Sequence, residues 1–355
     1  MNSSAPSTTS AQATSAQAVP NRPDRPRLLV LHGGDLPPGH ERIDADPRLG
    51  EVVYTTADGL DAALPGTHAL LVWDLFSEAL AASWPKADTL TWVHAATTGV
   101  DNLMFPGLVE SGTVVTNSRG IFDEPIAEYV LGQVIAFAKD FHRTWDLQRE
   151  RQWRHRETER VAGKRALVIG TGPIGRNIAR KLSAVGMDVR GGGRVARSGD
   201  ADFGTVAEAS LAERGADGGP TLVTELPEAD YVVIAAPLTD ATRGLVDRRF
   251  LDLMKPTARL VNVARGPIVV ESDLATALER GDIDGAALDV FEREPLKAVS
   301  PLWGLPGSLV SPHMSGDVVG WRDELVELFL DNLARYLDGR ELSYVVDKTR
   351  GYVPG

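Results

Sequence analysis

The chain has 355 residues, of which 43% are hydrophobic, and its formal net charge is −12. The length favours two domains, and the acidic balance argues against non-specific binding to nucleic acid or to a membrane surface. Because there is no cysteine, disulfides, thiol nucleophiles and cysteine-ligated zinc are excluded. No window has the ~18 uninterrupted apolar residues of a membrane span. We therefore expect a cytoplasmic protein without nucleic-acid or membrane partners.

Residues 1–26 form a segment rich in Ser, Thr, Ala, Gln and Pro, with almost no large apolar side chains. Such a segment cannot bury enough surface to offset the entropy of ordering it, so we predict a disordered tail. It also lacks the basic and apolar regions of a secretory signal.

From Arg27 onward, short apolar runs alternate with helical stretches. The first strands are predicted in RLLVLHGG, HALLVWD, LTWVHAATTGVDNL and GTVVTNSRG. A second series is predicted in KRALVIG, ADYVVIAAP, ARLVNVA, IDGAALDV and SLVSPH, with helices at ESDLATALERG and DELVELFLDNLARYLDG. This alternation is typical of α/β proteins in which helices cover parallel sheets.

Between the two series lies a long predicted helix, which Asp123 or Glu124 can cap and whose first turn suits Pro125. The residues that recur at helical spacing on its apolar face are Ile126, Val130, Val134, Phe137 and Phe141. Such a helix can connect two domains or pack against a partner subunit. The alternative is a single buried core helix.

The segment GTGPIGRNIARKL has the glycine spacing of a dinucleotide-binding turn, supplied by Gly170, Gly172 and Gly175. It follows an apolar strand and opens a helix, which is the context this fingerprint requires. The helix N-terminus would offer free N–H groups to a pyrophosphate. The alternative is a glycine-rich turn without a ligand.

The end of the next strand indicates which dinucleotide is bound. Gly193 stands where a carboxylate would bind a ribose 2′-hydroxyl, and Arg194 and Arg197 follow it. Asp188 lies earlier, in the middle of the predicted strand. Arginine attracts a 2′-phosphate, so we expect a preference for NADP(H), with NAD(H) as the second cofactor. The alternative is that both arginines are solvated surface charges.

Three further motifs, VNVARGPIVVE, LDVFEREPL and SPHMSG, each place a charged or titratable side chain just after an apolar strand. With GTGPIGRNIARKL and APLTDATRGLV, in this order, they make the chain from about Arg27 onward resemble the D-isomer-specific 2-hydroxy acid dehydrogenase family. The resemblance implies two Rossmann-like domains with parallel sheets. A nucleotide-binding domain, residues 119–311, would be inserted into a discontinuous substrate domain, residues 27–118 and 312–355. It also implies a homodimer that uses the long helix.

The resemblance assigns three catalytic residues: Arg265 binds the substrate, His313 is the acid/base, and Glu294 is its carboxylate partner. The chemistry agrees with these roles. A protonated histidine can give a proton to the carbonyl oxygen of a 2-oxo acid, and a carboxylate stabilises the charged imidazole. Arginine offers a planar fork to a carboxylate. No metal is required.

The remaining site residues also follow from the resemblance. The expected cofactor-binding residues are Gly170, Gly172, Pro173, Ile174, Arg194, Arg197, Pro237, Thr242, Val263, Asp289 and Gly316. Thr98 and Gly99 would bind the substrate carboxylate through backbone N–H groups, with Arg265. The expected reaction is reversible reduction of a 2-oxo acid to the D-2-hydroxy acid with NADPH. The alternative function is a non-catalytic, dinucleotide-sensing interaction protein of the same fold.

Overall fold

The computed structural model describes Val19 and residues 22–354. Most of the predicted tail, namely residues 1–18, 20 and 21, lies outside the described residues, as does Gly355. Arg25 and Pro26, which we assigned to that tail, make contacts instead. Arg25 Nη2 donates to Leu49 O at 3.0 Å, and Gly50 N donates to Pro26 O at 2.9 Å. The packed chain therefore extends further toward the N-terminus than the composition predicted.

The chain forms two compact units. Unit 1 holds the described residues up to Arg119 together with those from Arg322 onward, and unit 2 is Gly120–Trp321. The chain passes from unit 1 to unit 2 after Arg119, close to the predicted boundary at 118/119. It returns to unit 1 after Trp321, which is later than the predicted boundary at 311/312. Both units are α/β structures with parallel sheets, which confirms the predicted fold class.

Unit 1 contains a five-stranded parallel sheet in the order β2-β1-β3-β4-β5. Its strands are β1 (Arg27–Leu31), β2 (Glu51–Thr55), β3 (Ala69–Val72), β4 (Trp92–Ala95) and β5 (Val114–Asn117). Its helices are α1 (Glu41–Asp44), α2 (Leu60–Ala63), α3 (Ala79–Ser83), α4 (Pro106–Glu110) and α11 (Trp321–Leu337), whose first residue belongs to unit 2. The sequence did not predict β2, a short edge strand whose residues are all partly exposed.

Unit 2 contains an eight-stranded sheet in the order β13-β12-β11-β10-β6-β7-β9-β8, in which only the pairing of β8 with β9 is antiparallel. Its strands are β6 (Arg165–Ile169), β7 (Asp188–Gly193), β8 (Arg197–Asp200), β9 (Gly204–Glu208), β10 (Tyr231–Ile234), β11 (Arg259–Asn262), β12 (Gly285–Leu288) and β13 (Ser308–Val310). Its helices are α5 (Asp123–Ala138), α6 (Phe141–Arg149), α7 (Pro173–Ala184), α8 (Leu222–Glu225), α9 (Arg248–Asp252) and α10 (Glu271–Arg280).

The long predicted helix is shorter than expected and is capped differently. The helix α5 begins at Asp123, with Phe122 at the N-cap position and no side-chain cap. It ends at Ala138 because Asp140 adopts a left-handed conformation (φ 50°) that turns the chain into α6. Phe137 is buried, whereas Phe141, at the start of α6, is 40% exposed. The expected caps and the placement of Phe141 in this helix were therefore wrong.

The central strands of unit 2 are short and apolar. All residues of β10, β11 and β12 are buried, as parallel strands covered on both faces should be. Polar side chains that follow these strands therefore gather at the carboxyl edge of the sheet, where open α/β sheets bind ligands. No helix among the described residues is long and apolar enough to cross a membrane.

Candidate active site

His313 and Glu294 form a hydrogen-bonded pair in unit 2. His313 follows β13 and Glu294 follows β12, and the two strands are neighbours in the sheet. His313 Nδ1 lies 2.7 Å from Glu294 Oε2, and the side chains are 26% and 31% exposed. Glu294 Oε1 accepts the N–H of Phe291 at 2.9 Å. The imidazole is thereby oriented through Nδ1.

The charge of Glu294 is stabilised in this position. Burial alone would raise the pKa of Glu294, but the hydrogen bonds from His313 and the Phe291 amide, with the charges of His313 and Arg265, outweigh burial and lower it. The carboxylate is therefore ionised at neutral pH and accepts the hydrogen bond from His313.

Arg265 follows β11, the strand next to β12, and it is partly buried. Its Nη1 donates to Ala264 O at 2.8 Å. The predicted catalytic residues Arg265, Glu294 and His313 thus all follow consecutive strands of the sheet at one edge. Arg265 is also close enough to Glu294 for its charge to lower the pKa of that residue.

The glycines of the fingerprint have distinct roles at the β6–α7 turn. Gly170 has φ 115°, and a Cβ there would lie 2.4 Å from the carbonyl of Ala235. A Cβ on Gly175 would lie 1.8 Å from Gly170 O, so both positions require glycine. Gly172 caps α7, and a Cβ added there would meet no atom within 4 Å. This turn leaves open space at the first turn of α7, beside Pro173 and Ile174, and so suits a pyrophosphate.

The strand β7 ends at Gly193, as the sequence predicted, and Arg194 is exposed immediately after it. The structure changes the interpretation of Asp188 and Arg197. Asp188 is the first residue of β7, not a middle one, and forms an ion pair with Arg165 at 2.9 Å. Arg197 Nη2 lies 2.9 Å from Asp200 Oδ2, so much of its charge is compensated within unit 2.

An ion-pair network that sequence reasoning missed joins the β8–β9 hairpin to α7. Arg176 donates to Oδ1 and Oδ2 of Asp200, at 3.0 Å each, and to Asp202 at 2.7 Å. Arg180 donates to Asp202 at 2.9 Å. The Asp200 side chain is only 5% exposed. The sequence feature that could have indicated these ion pairs is the pair of arginines four residues apart on a helix, followed by Asp200 and Asp202.

Thr98 and Gly99 lie in unit 1, in the loop after β4. The carbonyls of Thr97 and Thr98 accept hydrogen bonds from Ser118 N at 2.9 Å and Asn117 Nδ2 at 2.6 Å, and Gly99 O accepts from Thr97 Oγ1 at 2.7 Å. In a trans peptide the N–H points opposite to the carbonyl. The N–H groups of Thr98 and Gly99 therefore point away from these partners, as an anion-binding loop requires.

The other predicted cofactor residues occupy several loops of unit 2. The Thr242 hydroxyl donates to Pro237 O at 2.7 Å and closes the turn after β10. Val263 directly follows β11 and is buried. At Gly316 a Cβ would lie 2.6 Å from the Phe122 ring, so packing alone requires glycine there. Asp289 is 0% exposed, and its carboxylate accepts hydrogen bonds from the loop around His313. Contact of Asp289 with a cofactor remains a prediction.

Comparison with known proteins identifies the family. The sequence profile of the D-isomer specific 2-hydroxyacid dehydrogenase NAD-binding domain matches residues 131–315. The chain is 30% identical to glyoxylate/hydroxypyruvate reductase A of Arabidopsis thaliana over 70% of this chain and 76% of that protein. The chain therefore belongs to the D-isomer specific 2-hydroxyacid dehydrogenases, a family of NAD(P)-dependent oxidoreductases, as its motifs predicted.

Two solved structures share the fold over most of the chain. A D-isomer specific 2-hydroxyacid dehydrogenase from Xanthobacter autotrophicus, in complex with NADPH and MES, is similar with a TM-score of 0.75 and 29% identity, covering 92% of this chain and 100% of that one. An NADPH-dependent glyoxylate/hydroxypyruvate reductase from Sinorhizobium meliloti, in complex with NADP and sulfate, has a TM-score of 0.72 and 26% identity, with the same coverage.

Proposed function

We propose that this enzyme reduces a small 2-oxo acid to the D-2-hydroxy acid with NADPH, using His313 as the proton donor. The observation that carries this proposal is the 2.7 Å hydrogen bond between His313 Nδ1 and Glu294 Oε2. With Nδ1 bound to Glu294, Nε2 would be the ring nitrogen that gives a proton to the substrate carbonyl oxygen. Arg265, which follows β11, would bind the substrate carboxylate through its planar cation. The relatives named as glyoxylate and hydroxypyruvate reductases favour short 2-oxo acids as substrates.

The cofactor supplies the hydride for this reduction. The residues at the β6–α7 turn would hold the cofactor. Gly172 and Pro173 begin α7, whose N–H groups and positive dipole end suit the pyrophosphate. Arg194 would bind the 2′-phosphate beyond the end of β7. We assign the larger share of this interaction to Arg194 because it directly follows the last residue of β7; Arg197 lies three residues further on and pairs with Asp200. The NADP and NADPH complexes of the two similar structures support the choice of cofactor.

The backbone loop at Thr98 and Gly99 would bind the substrate carboxylate in unit 1. It is a neutral site, and its outward N–H groups would provide hydrogen bonds without a second cation.

The experiment is a screen of 2-oxo acids with NADPH and NADH, run in parallel on the wild type and on His313→Gln. We expect turnover of at least one small 2-oxo acid by the wild type and its loss in the variant. The competing function, a dinucleotide sensor, predicts NADPH binding without turnover by either protein. A substrate turned over equally by both proteins would remove His313 from the proposed role.

We also propose a homodimer, formed through α6 and the chain that follows it. Phe141 and Trp145 are 40% and 54% exposed, and Trp153 is fully exposed. Three large apolar side chains within a short exposed stretch are typical of a surface that a partner covers. The family resemblance supports a second copy of this chain as that partner.

A further inference from the structure

The backbone of His313 has an unfavourable conformation. Its φ is 52°, in the left-handed region that residues other than glycine seldom adopt. Such conformations persist where the surrounding contacts hold them. Here the N–H of His313 donates to Asp289 O at 2.8 Å. The next two N–H groups, of Met314 and Ser315, donate to Asp289 Oδ1 at 3.0 Å and Oδ2 at 2.8 Å. Asp289 therefore holds the backbone of His313 and of the two residues that follow it.

Asp289 is itself held by a chain of hydroxyl groups. Ser311 Oγ donates to Asp289 Oδ1 at 2.6 Å, and the Tyr129 hydroxyl lies 2.5 Å from Ser311 Oγ. A carboxylate can only accept, so the single hydroxyl proton of Ser311 is directed to Asp289. Tyr129 must then donate to Ser311. Burial is the main factor that raises the pKa of Tyr129 to about 12, so its hydroxyl keeps its proton at neutral pH.

We propose that Tyr129 is a positioning residue for proton transfer: its hydroxyl, through Ser311 and Asp289, fixes the loop that holds His313. Tyr129 lies on α5, whereas Asp289 and Ser311, to which it is linked by hydrogen bonds, follow β12 and β13. The hydroxyl thus ties the catalytic loop to a sixteen-residue helix packed against α7. This inference rests on the proposed role of His313, and it assigns a function to a residue outside the motifs that define the family resemblance.

The test is Tyr129→Phe, which removes only the hydroxyl group. We expect kcat to fall about tenfold, because small displacements of a catalytic group are costly. The solvent deuterium isotope effect on kcat should rise as proton transfer becomes slower, and the Tm should stay close to that of the wild type. The control is Tyr231→Phe. Tyr231 begins β10 at the opposite end of the sheet, where it accepts a hydrogen bond from Arg259, and its removal should leave kcat unchanged.

Substitutions of Ser311 test the same proposal without requiring that the Tyr129 variant folds well. Ser311→Ala should lower kcat to a similar extent, and Ser311→Thr, which keeps a hydroxyl, should retain more activity than Ser311→Ala. Because both residues act through one chain, the Tyr129→Phe/Ser311→Ala double variant should be no slower than the slower single variant.

Two results would overturn the proposal. One is an unchanged kcat in Tyr129→Phe or in Ser311→Ala. The other is a loss of kcat that comes with a lower Tm and an unchanged solvent isotope effect, which is the result of a purely structural role. Failure of the proposed function is distinguishable, since it would appear as absent turnover by the wild type or normal turnover by His313→Gln, independently of either hydroxyl variant.

Discussion

The Glu294 carboxylate accepts a hydrogen bond from each of two groups: one oxygen lies 2.7 Å from Nδ1 of His313, and the other accepts the Phe291 amide. The carboxylate cannot rotate without breaking one of these bonds. The imidazole is therefore held by a partner that is itself fixed, and the following substitutions test this pair and its surroundings.

Replacement of His313 by glutamine should lower kcat by about 10²-fold or more, the scale of a positioned acid/base group. NADPH affinity should survive, because the β6–α7 turn is untouched. Steady-state kinetics and fluorescence titration measure the two quantities. His155→Gln, at an exposed histidine of the same unit, is the control and should behave as wild type.

Glu294→Gln keeps the shape of the side chain and removes its charge. We expect a lower kcat and also a lower Tm at pH 7, because the folded-state pKa of Glu294 is lowered and the charged form therefore stabilises the fold. That contribution is fully present above the ordinary pKa of 4.5 and is lost as pH falls through the folded-state value. The Tm difference between wild type and variant should shrink over this acidic range. A difference that grows instead would contradict the assignment.

Arg265→Lys keeps a positive charge but loses the planar fork. We expect KM for the 2-oxo acid to rise and kcat to fall together, since a lysine cannot bind a carboxylate through two parallel bonds. Unchanged kinetics would show that Arg265 does not bind the substrate carboxylate. Arg280→Lys, an exposed position at the end of α10, controls for non-specific effects of the exchange.

The wild type should prefer NADPH to NADH by at least about tenfold in kcat/KM, since one additional charge contact of ~1.4 kcal/mol gives that ratio. Arg194→Ala should reduce this preference and spare NADH use, whereas Arg197→Ala should have a smaller effect because Arg197 is paired with Asp200. Equal use of both cofactors by the wild type, or equal loss of both in Arg194→Ala, would refute the assignment. Arg214→Ala, exposed elsewhere in unit 2, is the control.

An acid at position 193 should move the preference toward NADH. The structure adds a condition to this expectation, because a Cβ at Gly193 would lie 3.2 Å from both Thr171 Oγ1 and Val206 Cγ1. Gly193→Asp should therefore lower Tm, and Gly193→Ala measures that packing cost separately from the effect of the charge.

The oligomeric state tests the exposed aromatic surface of α6. The double variant Trp145→Ala/Trp153→Ala should be a monomer by light scattering under conditions in which the wild type is a dimer. Trp303→Ala removes a tryptophan of unit 2 that is as exposed as Trp145, and it should leave the dimer intact. A wild type that is monomeric at micromolar concentration would end this proposal.

The sequence predicted the buried parallel strands of both sheets because such strands need apolar runs, which are visible in the residues alone, but it did not predict the partly exposed edge strand β2. The runs also indicated that charged or titratable side chains would follow β11, β12 and β13, whereas the roles of Arg265, Glu294 and His313 came from the family resemblance and stay predictions. It could not predict that Asp140 would end α5, because a left-handed residue other than glycine leaves no pattern. It also missed Tyr129 and Ser311, since their contact joins residues 182 positions apart and neither residue type is unusual where it stands.

The strand β13 is one of the two edges of the eight-stranded sheet, and it is only three residues long and partly exposed throughout. His313 follows it by three positions, so the catalytic loop is attached to an edge strand that has no buried residue. Edge segments open locally at a smaller free-energy cost than the whole domain. Heating should therefore inactivate the enzyme reversibly some degrees below its melting transition. In hydrogen exchange, the amides of β13 should exchange before those of β10 and β11, and bound NADPH should not fully suppress this early opening.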